Sequence, residues 1–136
     1  MRNFITAFVL LLPLSAFAQE SSETIVTAQE FQRLSQGKTM YFSQDGFFFG
    51  AEQFYSRRRS LWQNNAKECL DGEWFVKEDF ICFNYSLDID PACWHFFKKG
   101  GSYYARSEGA TSADFDIFMY NIDSKPLDCK GPDVGT

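Results

Sequence analysis

The fold is decided by Glu73-Trp74-Phe75-Val76-Lys77-Glu78-Asp79-Phe80-Ile81-Cys82-Phe83-Asn84 and, after a polar loop, Ala92-Cys93-Trp94-His95-Phe96-Phe97-Lys98. Strand side chains alternate between two faces, so a register can be tested by asking which residues it brings together. With Cys82 opposite Cys93, Ile81 faces Trp94 and Phe83 faces Ala92 across a hairpin whose loop is residues 86–89. With Glu78-Asp79 as a two-residue turn, Val76 faces Ile81 and Trp74 faces Phe83. These two registers, reached separately, put Trp74, Val76, Ile81, Phe83, Trp94 and Phe96 on one apolar face.

The opposite face carries Phe75, Phe80, the cysteine pair, Phe97 and Tyr104, with Asn84, His95 and Arg106 among them. A sheet that is apolar on both sides needs cover, from a helix, from the C-terminal segment or by curling into a small barrel. The alternative is an exposed patch that binds something. The chain holds 16 Phe, 6 Tyr and 3 Trp, more than one sheet face can absorb.

Outward from this centre, the strand period continues. Aromatic and β-branched runs at 39–43, 47–55, 58–63, 73–77, 80–85, 92–98, 103–107 and 115–121 alternate with turn residues. The turns fall at Gln44-Asp45-Gly46, Asn64-Asn65, Asp71-Gly72, Glu78-Asp79, Gly100-Gly101 and Glu108-Gly109. Before the strands, Thr27-Ala28-Gln29-Glu30 fits a capping box, and Val26 with Phe31 makes the matching hydrophobic staple. Gly37 suits the left-handed residue that ends a helix, which predicts one short helix over about 28–36. The expected fold is all-β: an antiparallel meander of about seven or eight strands, a curled sheet or small barrel, with one short N-terminal helix and two disulfides. Residues 19–26 and 123–136 are expected to be irregular.

The first 18 residues read as a signal peptide: Arg2, an apolar core from Phe4 to Leu14, then Ala16 and Ala18 at the cleavage positions. The apolar run is shorter than the roughly 20 residues of a membrane span. Cleavage would leave residues 19–136 as a single secreted domain without a membrane span. Losing Arg2 would take the formal net charge from −5 to −6. That acidity disfavours nucleic acid, whose phosphates need a basic surface. The four cysteines are Cys69, Cys82, Cys93 and Cys129, an even count that reads as two disulfides in an exported chain. Cys82 with Cys93 bridges the hairpin, and Cys69 with Cys129 follows by elimination, together contributing about 3 and 4 kcal/mol on loop-entropy grounds. No two cysteines stand at zinc-ligand spacing.

Catalytic signatures are sparse. His95 is the only histidine, and any general acid–base chemistry that needs imidazole must use it. There is no G-x-S-x-G, H-E-x-x-H or glycine-rich phosphate loop. Asp88 and Asp90 could offer oxygens to Ca²⁺ but equally suit a turn. Asp114 and Asp116 alternate with Phe115 and Ile117 as on the wet face of a strand. No metal or cofactor is expected. Arg57, Arg58 and Arg59 form the one dense basic cluster and could meet a carboxylate or phosphate. With Phe75, Phe97, Tyr104 and His95 they make the candidate binding residues.

The block from about 37 to 107 resembles a family of small secreted proteins of Gram-negative bacteria with no assigned activity. The shared pattern is Gly37-Lys38-Thr39, a Gly46 turn, Trp62, Gly72-Glu73-Trp74, Ile81-Cys82-Phe83, Cys93-Trp94 with Phe96, and Tyr104 with Arg106. The resemblance brings no catalytic residues. A looser likeness to small periplasmic barrels that inhibit lysozyme lacks a matching inhibitor loop. The functional expectation is an exported, non-catalytic protein of the periplasm or outside, binding a small apolar ligand or a periplasmic protein. The alternatives are an inhibitor-like protein presenting the 86–89 loop or the Arg57–Arg59 turn, and a hydrolase using His95.

Overall fold

A computed structural model describes residues 21–85 and 89–129. The expected leader at 1–18, the hairpin-loop residues 86–88 with Asp88, and the tail at 130–136 lie outside these residues. The described chain begins with β1 (Thr24–Ile25) and α1 (Ala28–Ser35). There follow β2 (Thr39–Gln44), β3 (Phe47–Phe54), β4 (Arg59–Asn64), β5 (Cys69–Lys77), β6 (Phe80–Asn84), β7 (Ala92–Lys99), β8 (Ser102–Ser107) and β9 (Ile117–Asp123). Each of β2 to β9 pairs antiparallel with the next, and β9 returns to pair with β2, closing an eight-stranded meander barrel. Closure removes the exposed edges of the sheet.

The central registers are those the alternation requires. Ile81 opposes Trp94, Cys82 opposes Cys93 and Phe83 opposes Ala92, while Trp74 opposes Phe83 and Val76 opposes Ile81. The shared apolar face becomes the barrel lining. Met40, Phe42, Phe54, Ala105, Ile117 and Met119 complete it from the other strands. Phe31 of α1, fully buried, closes one end, packing on Phe54, Trp74, Phe83 and Phe96 with ring centroids 4.8–6.4 Å apart. The helix forms where its capping signals place it: the Thr27 hydroxyl accepts from Glu30 N at 3.2 Å, and Val26 is buried with Phe31. The Arg58 guanidinium lies 4.6 Å over the Trp74 ring at the same end.

The outer face is covered in places by the chain ends. β6 stops short of the full length of β7, and β1 takes over the vacated edge with Ile25 opposite Phe97. The C-terminal segment crosses β3 and β4: Leu127 N donates to Gln53 Oε1 and Gln63 Nε2 donates to the Asp128 carbonyl. Cys69–Cys129 fixes that crossing and Cys82–Cys93 staples β6 to β7. These two disulfides fit an oxidising, exported compartment. No helix among the described residues is long and apolar enough to cross a membrane.

Three local expectations are corrected. Asp71-Gly72 is not a turn but lies within β5, because the Tyr85 ring sits where a Gly72 Cβ would go. Residues 19–26 are not wholly irregular, since Thr24 and Ile25 complete the β7 edge. The last strand begins at Ile117 rather than Phe115: residues 113–115 form a 3-10 turn capped by the Ser112 hydroxyl, and Asp116 turns to Arg106.

Candidate functional site

Opposite the end that Phe31 closes, the barrel lining does not meet across the axis. It leaves a cavity of about 180 Å³ lined by Phe42, Phe49, Glu52, Phe54, Trp62, Phe83, Tyr85, Ala92, Trp94, Phe96 and Ile117. Burial grades along it. Phe42, Glu52, Phe54, Phe83, Phe96 and Ile117 are buried and form the floor, whereas Phe49, Trp62, Tyr85, Trp94 and Ala92 reach the surface and frame the mouth.

The mouth is a set of crossed rings. Phe49 meets Trp62 and Trp94 edge-to-face, at 5.8 and 6.0 Å between centroids, and Trp62 meets Tyr85 at 6.4 Å. Two glycines make this possible. A Cβ at Gly50 would collide with the Trp62 ring, and one at Gly72 would lie 2.6 Å from the Tyr85 ring. Glycine within a strand marks such a close approach.

The single ionisable carboxyl of the lining is Glu52, carried inward by β3 between Gly50 and Phe54 and opposite Trp62. It is 2% exposed. The Tyr85 hydroxyl donates to its Oε2 at 2.7 Å. Its Oε1 has no hydrogen-bond partner within bonding geometry among the described residues. Burial pushes the Glu52 carboxyl up to about 8, outweighing the opposing influence of the Ser60 and Tyr85 hydroxyls. Burial, with Glu52 beside it, raises the Tyr85 phenol well above its ordinary value, so Tyr85 stays a donor.

The residues singled out from sequence lie elsewhere. His95 is on the outer face, stacked on Phe80 at 3.8 Å between centroids. Phe97 is buried on that face, stacked on Tyr104 at 5.6 Å beneath the Arg106 guanidinium at 4.8 Å. Arg106 is held by Asp116 at 2.7 Å and by Glu23 at 3.0 Å. Phe75 is outside, opposite Cys82. Arg57 and Arg59 border a surface depression with Tyr55, Ser56 and Asp71, while Arg58 turns to Trp74. The structure therefore distributes these seven residues over the outside and one end of the barrel and brings none of them into the cavity. Among the described residues no group of three His, Cys, Asp or Glu is placed to hold a metal ion.

No protein-family model, curated protein or solved structure matches this chain. What the site can do must be read from its own geometry. Sequence reasoning missed Glu52, Trp62 and Phe49 as site residues. The available signal was parity: in the run 47–55, Glu52 shares its face with Phe54, which argues for a carboxyl turned inward.

Proposed function

We propose that this is an exported, non-catalytic binding protein that carries a small, largely apolar ligand inside its barrel. The observation that supports this reading is the aromatic cavity containing one buried, incompletely partnered carboxyl. Ligand sites are concave and mostly apolar with a few placed polar groups, and the mouths of barrels are a common place for them. Apolar cavities of roughly 150 Å³ hold one benzene-sized ring, so about 180 Å³ suits a single ring or a short branched chain. Glu52 has two hydroxyls for company and no second carboxylate or imidazole in the lining, an arrangement that suits holding a ligand rather than acid–base turnover.

The leader-like first 18 residues and the two disulfides support export to the periplasm. The resemblance to small secreted Gram-negative proteins belongs to the same proposal. The test is a titration of the ¹⁵N-labelled, oxidised protein with a panel of neutral and charged single-ring compounds. Movement of the Trp62 and Trp94 indole N–H resonances, with those near Arg57 and His95 unmoved, is the expected result. Shifts confined to the outer face, or none at all, would reject a ligand in the barrel.

A further inference from the structure

We infer that the ligand is a small organic ammonium ion, with its charged end against Glu52 and its apolar remainder between the rings of Phe49, Trp62 and Trp94. This rests on the reading that the barrel binds a ligand and goes beyond it by fixing the chemistry of the ligand's polar end.

Two independent features of the cavity converge. The first is the frame of rings. The faces of aromatic rings carry partial negative charge and attract a cation within about 6 Å, most strongly for Trp. Trp62 lies opposite Glu52 on the neighbouring strand and Tyr85 donates to it, so a cation against Glu52 stands beside these two rings, while Phe49 and Trp94 help enclose the apolar remainder. The second is the polar floor. Glu52 Oε1 is buried in the lining and lacks a hydrogen-bond partner among the described residues, while Oε2 is already taken by Tyr85. A buried polar atom left without a partner is costly; once the carboxyl ionises its Oε1 is an acceptor only, and a primary ammonium brings three donors on one compact centre. One can go to Oε1, with the apolar end left among the rings.

Other ligand classes fit less well. A hydrocarbon leaves Glu52 Oε1 as it is. A carboxylate or phosphate would be buried in a lining that holds no cationic side chain. An alcohol supplies one donor and gains little from the rings.

The proton balance gives the inference a signature of its own. In the free protein, burial keeps the Glu52 carboxyl protonated at neutral pH. An ammonium ion beside it favours the carboxylate, so the carboxyl O–H bond breaks and its proton passes to the buffer as the ion pair forms. The other titratable group facing Glu52 is the Tyr85 hydroxyl, which stays protonated and keeps donating. Ser60, Phe54 and Trp62 on the strands around it carry no charge. Binding therefore releases close to one proton at pH 7 and strengthens as pH rises toward 8.

The test is calorimetric titration of the oxidised full protein with 2-phenylethylamine and with its neutral isostere 2-phenylethanol. Each is measured at pH 7 in two buffers of different ionisation enthalpy, for the natural chain and for Glu52→Gln. The amine should bind at least about tenfold more tightly than the alcohol, releasing close to one proton, and Glu52→Gln should abolish both the preference and the release. If Glu52→Gln does not fold, proton release by the natural chain decides alone. Equal or tighter binding of the alcohol, or amine binding without proton release, overturns the ammonium assignment and leaves the barrel-ligand reading standing. If neither compound binds, both fall.

Discussion

Glu52 is a buried carboxyl in a mostly aromatic lining, and its environment bears directly on stability. A carboxyl whose folded value is about 8, against 4.5 for the ordinary group, binds its proton more tightly folded than unfolded. Its contribution is fully present below pH 4.5 and is lost as pH rises through about 8, a change on the order of several kcal/mol. Glu23 and Glu30 are shifted the opposite way, by Arg106 and Lys98, so their contributions are complete above pH 4.5 and flat over this window. Urea denaturation at constant ionic strength should therefore show the protein weakening from pH 5 to pH 8. Glu52→Gln should show a clearly shallower decline. An equal decline in both would place the pH sensitivity elsewhere. Gly50 supplies a second residue-scale prediction. Gly50→Ala forces the Trp62 ring to move, and it should alter ring binding at the mouth and the Trp62 indole resonance far more than a Gly46→Ala change at an open turn. Arg106 gives a third. With Asp116 and Glu23 on one partly buried guanidinium, Arg106→Ala should cost about 1–3 kcal/mol. Removing the exposed Lys77–Glu108 pair should cost under about 1 kcal/mol, and thermal melts of the two variants separate these cases.

At the scale of elements, the strands and the helix were largely legible because their signals are local. The Thr27 cap, the Val26–Phe31 staple and the alternation across Trp74–Val76 and Ile81–Phe83 each depend on a few adjacent residues, and each recurs in the structure. What failed depended on contacts distant in sequence. Gly72 reads as a turn residue until the Tyr85 ring is seen to lie over it, and Thr24–Ile25 is too short to show a period until β7 is seen to need an edge partner. The same reason hid the cavity: Phe49 and Glu52, Trp62, Tyr85 and Trp94 come from four separate segments and share a site only after the barrel closes. Phe31 carries the element-scale prediction. Phe31→Ala removes the ring that four aromatic neighbours contact and should cost about 3–5 kcal/mol by denaturant unfolding. Thr27→Ala, which removes only the cap, should cost about 1 kcal/mol.

At the scale of the molecule, barrel closure answers the problem posed by a sheet apolar on both sides. The inner surface is enclosed by the ring of strands and plugged by α1. The outer one is covered at Phe97 by the β1 segment and across β3 and β4 by the C-terminal segment. Arg57–Arg59 and the outer aromatics, which invited a binding role from the sequence, lie at one end and on the outside of the barrel, apart from the cavity within it. The direct test of a carrier role is native mass spectrometry of the oxidised protein, purified gently without reductant from an exporting host and never exposed to denaturant. A carrier should show a population heavier than the bare chain by the mass of one small basic organic molecule, lost in a Trp62→Ala, Trp94→Ala variant that still melts cooperatively. A single clean mass, together with unmoved indole resonances on titration with single-ring amines and alcohols, would contradict it.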